Sequence, residues 1–336
     1  MAVVHAAQDW TGILLINKPP DRTSFSVIAQ LRRVTGWRKI GHVGTLDPFA
    51  VGLLPVCIGR ATAAVQFMES YDKVYRVSIV FGSATDTQDK TGTVTEQYQL
   101  DSAERAELQR TDFAALRQCI ARLPGSHEQL PPMYSAIKKD GRPLYSYARA
   151  GQSVERKSRT IQIRRAELIS VELQDQLQAV VEIECSKGTY IRTLADTIGR
   201  DLGYFAHAAE LERLRVGPFS LADALDPDLL ETWSAGADSD GLAGRLRSSG
   251  QLLPTIRAFD GWPRIELSHD DALRLIRGQA VLQTGHNWSG IGDGERQVVV
   301  CGGQLIGIAS LRPQATGERR LKTERVLIDH ADFQAR

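Results

Sequence analysis

The densest apolar run in the chain, Ala50 to Ile58, is nine residues long and is interrupted by Gly52 and Pro55. A membrane helix requires roughly 20 consecutive apolar residues, so the chain is expected to be soluble and to gather its core from many short segments. The periodicity of those segments then decides the fold class. Ser24 is placed to cap a helix with Val27, Ile28, Leu31 and Val34 on one face and Gly36 as its stop. A second helix follows Gly59, with Ala61, Ala64, Val65 and Met68 at the same spacing. Tyr75, Val77, Ile79 and Phe81 then alternate with other residues as a strand does, ending at Gly82. Phe113, Leu116, Ile120 and Leu123 return to helical spacing, Ala179 to Cys185 is a β-branched strand, and Leu194, Ile198 and Leu202 mark a helix closed by Gly203. Strands and helices mix without a regular βαβ rhythm, which favours α+β over a doubly wound sheet.

Residues 234–250 are rich in Gly, Ser, Ala and Asp and lack a periodic apolar face, the pattern of a linker. Beyond it, Ile265 to Gly278 reads as one short helix, and Gln297–Val300, Gln304–Ser310 and Arg325–Ile328 as short strands. The expectation is a large α+β domain over 1–250 and a small, mostly-β domain over 251–336. Cys57, Cys119, Cys185 and Cys301 are more than 60 residues apart with no Cys-x-x-Cys pair, so they read as buried thiols and not as a metal site. The N-terminal MAVVHAAQDW lacks the basic start and apolar core of a secretory signal, which points to the cytoplasm.

The net charge of +1 suggests no polyanionic partner, but the charges are sorted. Lys18 to His42 carries six bases against one acid, and Lys138 to Arg165 carries nine against two. Residues 86–112 reverse the sign, with seven acids against three bases. Such blocks can present a basic face to phosphates while the total stays unremarkable.

The most distinctive stretch is GHVGTLDPFAVGLLPVCIG, residues 41–59. Asp47 lies between a Gly-containing turn and Pro48, which restricts the residue before it and so holds the carboxylate by its backbone. Alone, an Asp before Pro is a turn residue. Read together, NKPPDRTSFSV (17–27), GHVGTLDPFAVGLLPVCIGRAT (41–62), KVYRV (73–77), PPMYSAIKKDGRPLYSYARAG (131–151), SKGTYIRTLADTIGRDLG (186–203) and AHAAELERLRVGPF (206–219) closely resemble the TruB family of tRNA pseudouridine synthases. The tail from about Trp262 to Asp329, ending in GIASL and RLKTERVLI, is similar to the small RNA-binding PUA domain found in that family.

The resemblance implies a pseudouridine synthase fold with a mixed, largely antiparallel sheet, a family-specific insertion at about 86–150, and a PUA-like C-terminal domain. It implies isomerisation of the uridine at tRNA position 55, in the T loop, to pseudouridine, with no cofactor and no metal. By its place in GTLDP the catalytic aspartate is Asp47, acting as nucleophile toward ribose C1′ or as base toward the C2′ proton; addition to uracil C6 ranks lowest. A desolvated carboxylate needs a cation to stay charged, and Arg192 of KGTYIRT matches the family arginine that pairs with it, just before a helix starting near Thr193. Tyr75, of the K-x-Y block, matches the residue that stacks on the target base near the C5 proton, and on its own would be a core tyrosine. The base must be flipped out to be reached, and His42 matches the histidine that fills the vacated loop. Tyr190 and Leu211 match positions lining the uridine pocket, although Leu211 also suits a simple core residue at helical spacing, between Glu210 and Glu212. Lys18, the helix Arg32–Lys39, Arg142, Arg149 and Arg156–Arg159 are expected to contact phosphates. Asp21 stands where the family commonly has Gly, which leaves the turn possible but puts a negative charge near the RNA face.

The tRNA T arm and acceptor stem are thus the expected partners of a monomer. Two other readings compete. Related eukaryotic and archaeal synthases act on rRNA with guide RNA and protein partners, but their extra terminal regions are not evident and the long middle block 86–130 fits the stand-alone type. A tRNA-folding chaperone whose chemistry is incidental would not require Asp47.

Overall fold

The protein is described here from a computed structural model, which describes residues 10–235, 239–282, 288, 290–314, 318–328 and 333. The N-terminal residues 1–9 and Asp329, at the end of the tail resemblance, therefore lie outside the described residues.

In chain order the first half holds β1 (Gly12–Lys18), α1 (Ser24–Thr35), β2 (Ile40–His42), β3 (Val51–Ile58), a 3-10 turn (Gly59–Ala64) leading into α2 (Val65–Met68), β4 (Lys73–Phe81), β5 (Ser83–Thr85), β6 (Val94–Gln97), α3 (Ser102–Arg110), α4 (Ala114–Ala121) and β7 (Gly125–Gln129). There follow β8 (Lys138–Lys139), β9 (Arg142–Pro143), α5 (Leu144–Arg149), β10 (Arg159–Leu173), β11 (Leu177–Cys185), α6 (Ile191–Asp201), β12 (Ala206–Val216), β13 (Phe219–Ser220), α7 (Pro227–Ser234) and α8 (Ser239–Ser248). The tail comprises β14 (Arg264–Glu266), α9 (His269–Ile276), β15 (Val281–Leu282), β16 (Arg296–Cys301), β17 (Gln304–Pro313) and β18 (Arg319–Val326).

Nine strands form one sheet in the order β1-β3-β12-β4-β11-β10-β7, with β2 on β3 and β13 on β12. Every pairing is antiparallel except β3 with β12, so the mixed, largely antiparallel α+β expectation holds. The apolar run that opened the sequence becomes β3, whose faces are both buried. Leu53 and Cys57 enter one core with Ile13 and Leu15, while Leu54, Val56 and Ile58 enter another with Val27, Ile28 and Leu31 of α1. A strand covered on both sides has no reason to alternate. Pro55 falls between the β3 residues that pair with β12, Val51 and Gly52, and those that pair with β2, Val56 to Ile58, where that edge has no ladder pair to lose. Gly52 is required at its place: φ is +100°, and a Cβ would lie 2.6 Å from the Arg213 carbonyl oxygen.

On the other half of the sheet, Val77, Ile79 and Phe81 of β4 and Ala179, Val181 and Ile183 of β11 pack beneath α4 and α6. The opposite face carries ion pairs such as Arg76 with Glu182 and Arg215 with Glu184. Register shifts at Ala208/Glu210 and Arg213/Arg215 interrupt the strict alternation of β12.

Several local expectations change. Thr23, not Ser24, caps α1, accepting the Ser26 N–H at 3.0 Å, while Ser24 is buried and bonds to the Asp47 loop. The stretch expected as a linker is largely helix: Leu242 and Leu246 of α8, four residues apart, are buried in the same core as α1. Small residues between them hid that spacing, and residues 236–238 lie outside the described residues. The tail is a five-stranded sheet in the order β14-β16-β17-β18-β15, with α9 over one face. β16 and β17 are longer than the expected Gln297–Val300 and Gln304–Ser310, β18 starts six residues before the expected Arg325–Ile328, and a strand, β14, precedes the expected helix. Its other face, through Val298, Val300 and Ile308, shares a core with Phe67, Val216 and Phe259. Residues before β14 already belong to that packing, since Leu253 exchanges backbone hydrogen bonds with Ile13. No helix among the described residues is long and apolar enough to cross a membrane.

Candidate active site

The loop between β2 and β3 carries Asp47 and is held from three sides. Ser24 Oγ accepts the Leu46 N–H at 2.9 Å. Arg213, 1% exposed, donates to the carbonyls of Leu53 at 2.7 Å and Gly44 at 2.9 Å. Lys18 donates to the carbonyls of Pro48 at 3.1 Å, Pro19 at 2.9 Å and Arg22 at 2.6 Å. Lys18 is fully buried, so the expected phosphate contact is corrected: an ammonium spends its three donors on backbone oxygens and has none for a ligand. Burial lowers its pKa to about 8 against the pull of Asp47 and Asp21. That pull also supplies the charge partner for Asp21, whose φ of +57° is the left-handed geometry that a glycine adopts without strain.

Arg192 is the second residue of α6, which starts at Ile191, two residues before the expected Thr193, and it is 3% exposed. The start of this helix is fixed by Gln129 of β7, whose side chain bonds both the N–H and the carbonyl of Tyr190 at 2.8 and 3.0 Å. From there Arg192 forks onto Asp47, Nε to Oδ2 at 2.8 Å and Nη2 to Oδ1 at 3.3 Å. Its remaining donors reach the carbonyls of Thr87 and Tyr134 and, at 3.3 Å, Oδ2 of Asp89. Asp89 is buried too, its Oδ1 accepting from Thr87 Oγ1 at 2.8 Å and from the N–H and hydroxyl of Thr91 at 2.9 and 2.6 Å. Backbone bonds from Lys90 and Ala208 pin this turn to β12.

Desolvation raises the Asp47 carboxyl above the usual carboxylate range, Arg192 opposes it, and Asp89 adds to it. The carboxylate nonetheless remains open to a cleft of about 540 Å³, lined among others by Tyr75, Tyr190, Leu211, Lys73 and Arg213. The scale suits a nucleoside. Burial pushes the Tyr75 phenol up, against the pull of the nearby Arg213 guanidinium. Leu211 is on strand β12, not a helix, and belongs to both the cleft wall and the core. The Tyr190 ring carries the Arg159 guanidinium 5.4 Å from its centroid. Lys73 donates to the carbonyls of Glu69 and Tyr71, and burial lowers its pKa to about 8.

His42 stands outside the cleft lining, on the far side of Thr45, to whose hydroxyl its Nε2 lies at 3.3 Å. Burial, with the charge of Arg213, holds the imidazole below its ordinary pKa. Of the expected phosphate contacts, Arg142 and Arg149 are exposed, whereas Arg156 donates to Pro131, Arg32 to Ile40 and Arg33 to Glu231. Asp89, Arg213 and Lys73 were not singled out in sequence. Asp89 is one acid among seven in an acidic stretch, and Arg213 is one charge in the AHAAELERLRVGPF block; only the Lys of K-x-Y offered a signal. Among the described residues no His, Cys, Asp and Glu cluster could hold a metal ion.

Residues 32–191 match the N-terminal domain of the TruB family pseudouridylate synthases. The chain is 37% identical over 327 residues to the tRNA pseudouridine synthase B of Bacillus licheniformis, covering 96% of this chain and 99% of that protein. It is 42% identical to the protein of the same name from Symbiobacterium thermophilum, covering 82% and 85% of the two chains. Among solved structures, a chain of the archaeal box H/ACA sRNP Nop10-Cbf5 complex superposes with a TM-score of 0.68 at 21% identity, covering 96% of this chain and 88% of that one. That likeness concerns the fold alone. Relatives matched at this identity over nearly their whole length settle the assignment: the chain belongs to the TruB family of pseudouridylate synthases.

Proposed function

We propose that the chain isomerises the uridine at position 55 in the T loop of tRNA to pseudouridine, acting alone, as a monomer, in the cytoplasm. The single observation that carries this reading is the Asp47 carboxylate held by the Arg192 fork at the floor of a nucleoside-sized cleft. The uracil N1–C1′ bond breaks, the base turns, a C5–C1′ bond forms, and the C5 proton moves to N1. Substrate and product are isomers, so the balance calls for no oxidant and no second substrate.

An ionised Asp47 serves as nucleophile toward C1′ or as base toward the C2′ proton. The fork favours the charged form and fixes which oxygens face Arg192. Tyr75, next to Leu211 and Tyr190 in the cleft wall, stacks on the extruded base, with its hydroxyl available near C5. His42 fills the space the base leaves, as a neutral ring that can stack without carrying a charge into the loop. Exposed Arg142 and Arg149 in the β8–α5 segment contact T-arm phosphates, and the C-terminal unit acts as a PUA-like module on the acceptor stem. A tRNA-folding role accompanies the chemistry and depends on binding, not on Asp47.

The test is an unmodified tRNA transcript incubated without guide RNA with wild type and with Asp47→Asn, followed by chemical mapping of pseudouridine. Modification at position 55 by the wild type only is expected. Modification elsewhere, or equal modification by both, overturns the reading.

A further inference from the structure

The N-terminal turn of α1 presents an aromatic ring that the reaction just described leaves unused. Phe25 is 70% exposed, whereas the other large apolar side chains exposed on the described surface reach 37–49%. Its ring meets that of His42 edge to face, with centroids 5.3 Å apart and an interplanar angle of 87°. The position is built. Thr23 caps the helix on one side of Phe25, and Ser24, adjacent to it, is bonded to the backbone N–H of Leu46. Leu46 immediately precedes Asp47 in the chain. Phe25, His42 and Thr45 therefore form a rim whose geometry is tied to the loop that carries the carboxylate.

We propose that Phe25 is a stacking platform for an unpaired nucleobase of the substrate RNA, a positioning residue that sets how tightly the RNA is held beside the cleft. The proposal rests on the function proposed above and adds to it a contact that the family resemblance does not assign. Leaving a phenyl ring in water forgoes the stabilisation its burial would bring, and the neighbourhood selects what covers it. Along the exposed face of α1 the ring is followed at helical spacing by Ala29 and then by Arg32 and Arg33. One aromatic side chain followed by cations is too small and too charged an apolar patch for a protein partner or a second copy of the chain. It does match a nucleotide, whose base stacks while its phosphates meet guanidinium groups. Arg33 now pairs with Glu231 at the surface, a contact weak enough to exchange for a phosphate. Exposed Arg38 and Lys39 precede β2, which ends at His42, and continue the basic surface.

The experiment uses the full chain with an unmodified tRNA transcript, and it measures equilibrium binding by filter retention separately from turnover. Phe25→Ala and Phe25→Leu are expected to raise Kd and KM about tenfold, as loss of one base–aromatic stack does. Phe25→Trp is expected to bind as the wild type does. All three should keep kcat within about twofold and keep the wild-type melting temperature, because the ring is not part of a core. Wild-type affinity in Phe25→Ala overturns the proposal, and so does rescue by Phe25→Leu, which would make the contact one of apolar area and not of stacking. If the wild type binds tRNA without forming pseudouridine while Phe25→Ala binds weakly, the proposed activity falls and this contact stands. If it forms pseudouridine and Phe25→Ala is indistinguishable, only this contact falls. A wild type that does not bind tRNA sinks both.

Discussion

Asp47 and Asp89 grip one guanidinium: Arg192 Nε lies 2.8 Å from Asp47 Oδ2, and Nη1 lies 3.3 Å from Asp89 Oδ2. The buried end of Arg192 is thus neutralised by a carboxylate closed off from solvent, and the outer end is left to aim at a carboxylate open to the cleft. A point charge could satisfy one of these partners but not both at once.

Replacing Arg192 by Ala should remove most activity, on the order of a hundredfold or more in single-turnover rate, because Asp47 loses the donors that keep it ionised and oriented. It should also lower stability by about 3–5 kcal/mol, since Asp89 is left as an uncompensated buried charge. Arg192→Lys keeps a charge and loses the fork. It should unfold less readily than the alanine variant and retain partial activity. Near-normal turnover in Arg192→Ala would remove Arg192 from the site.

The raised pKa of Asp47 has a definite sign. Activity that depends on the ionised carboxylate should fall as pH drops through that pKa, giving an acid limb above the usual carboxylate range. In Arg192→Lys, with weaker support for the charge, the limb should move further up. Rate–pH profiles of the two proteins with the same transcript decide this, and coincident acid limbs would count against the pairing.

Stability moves the opposite way. A carboxyl whose pKa is higher folded than unfolded makes the native state bind the extra proton, so its contribution is present at low pH and is lost as pH rises through the folded value. At pH 7 the charge of Asp47 is therefore a net cost to the fold. Asp47→Asn should be inactive yet melt at or above the wild-type temperature at pH 7, with Arg192 still held by Asp89, Thr87 and Tyr134. A large drop in melting temperature would show instead that Asp47 is a structural residue.

Tyr75→Phe keeps the ring in the cleft wall and removes only the hydroxyl, while Arg213 retains its Leu53 and Gly44 partners. The variant should fold and bind tRNA normally and be slow after glycosidic cleavage, with kcat reduced and KM nearly unchanged. Wild-type kinetics would reduce Tyr75 to a stacking surface.

Lys18 and Arg142 separate structure from binding. Lys18→Met leaves the Pro48 carbonyl of the Asp47 loop, and those of Pro19 and Arg22 before α1, without their ammonium donor, costing about 1–3 kcal/mol, and should slow catalysis without altering the slope of log Kd against log salt. Arg142→Gln should leave the fold intact and reduce that slope by somewhat under one unit if it loses one phosphate contact. A changed slope in Lys18→Met would return that lysine to the RNA surface.

What could be read from sequence follows the physics of each feature. Helix faces such as Val27, Ile28 and Leu31, and the alternation of Val77, Ile79 and Phe81, announce themselves because one side of each element is buried and the other is not. Asp47, Arg192, Tyr75, Tyr190 and Leu211 do converge on one cleft, a meeting that the family motifs implied and residue spacing alone did not. Lys18 was misjudged because a charged side chain is ordinarily at the surface, and one of the three carbonyls that satisfy it, that of Pro48, is 30 residues away. The pairing of Asp89 with Arg192 was invisible for the same reason: it joins segments about a hundred residues apart through a shared partner. In α8, Gly and Ser diluted the spacing of Leu242 and Leu246 until α1 was present to cover them.

The aromatic cluster of Phe67, Phe259 and Trp262, with Arg296 of β16 lying over Phe67, makes the tail a wall of the main body and not an appendage. A protein cut at Gly250 would bare Phe67 and Val216 to water and be prone to clump, so a truncation would report on solubility before it reported on RNA. The contribution of the tail to recognition is therefore best measured by charge reversals on its outer surface, one position at a time, in the intact chain.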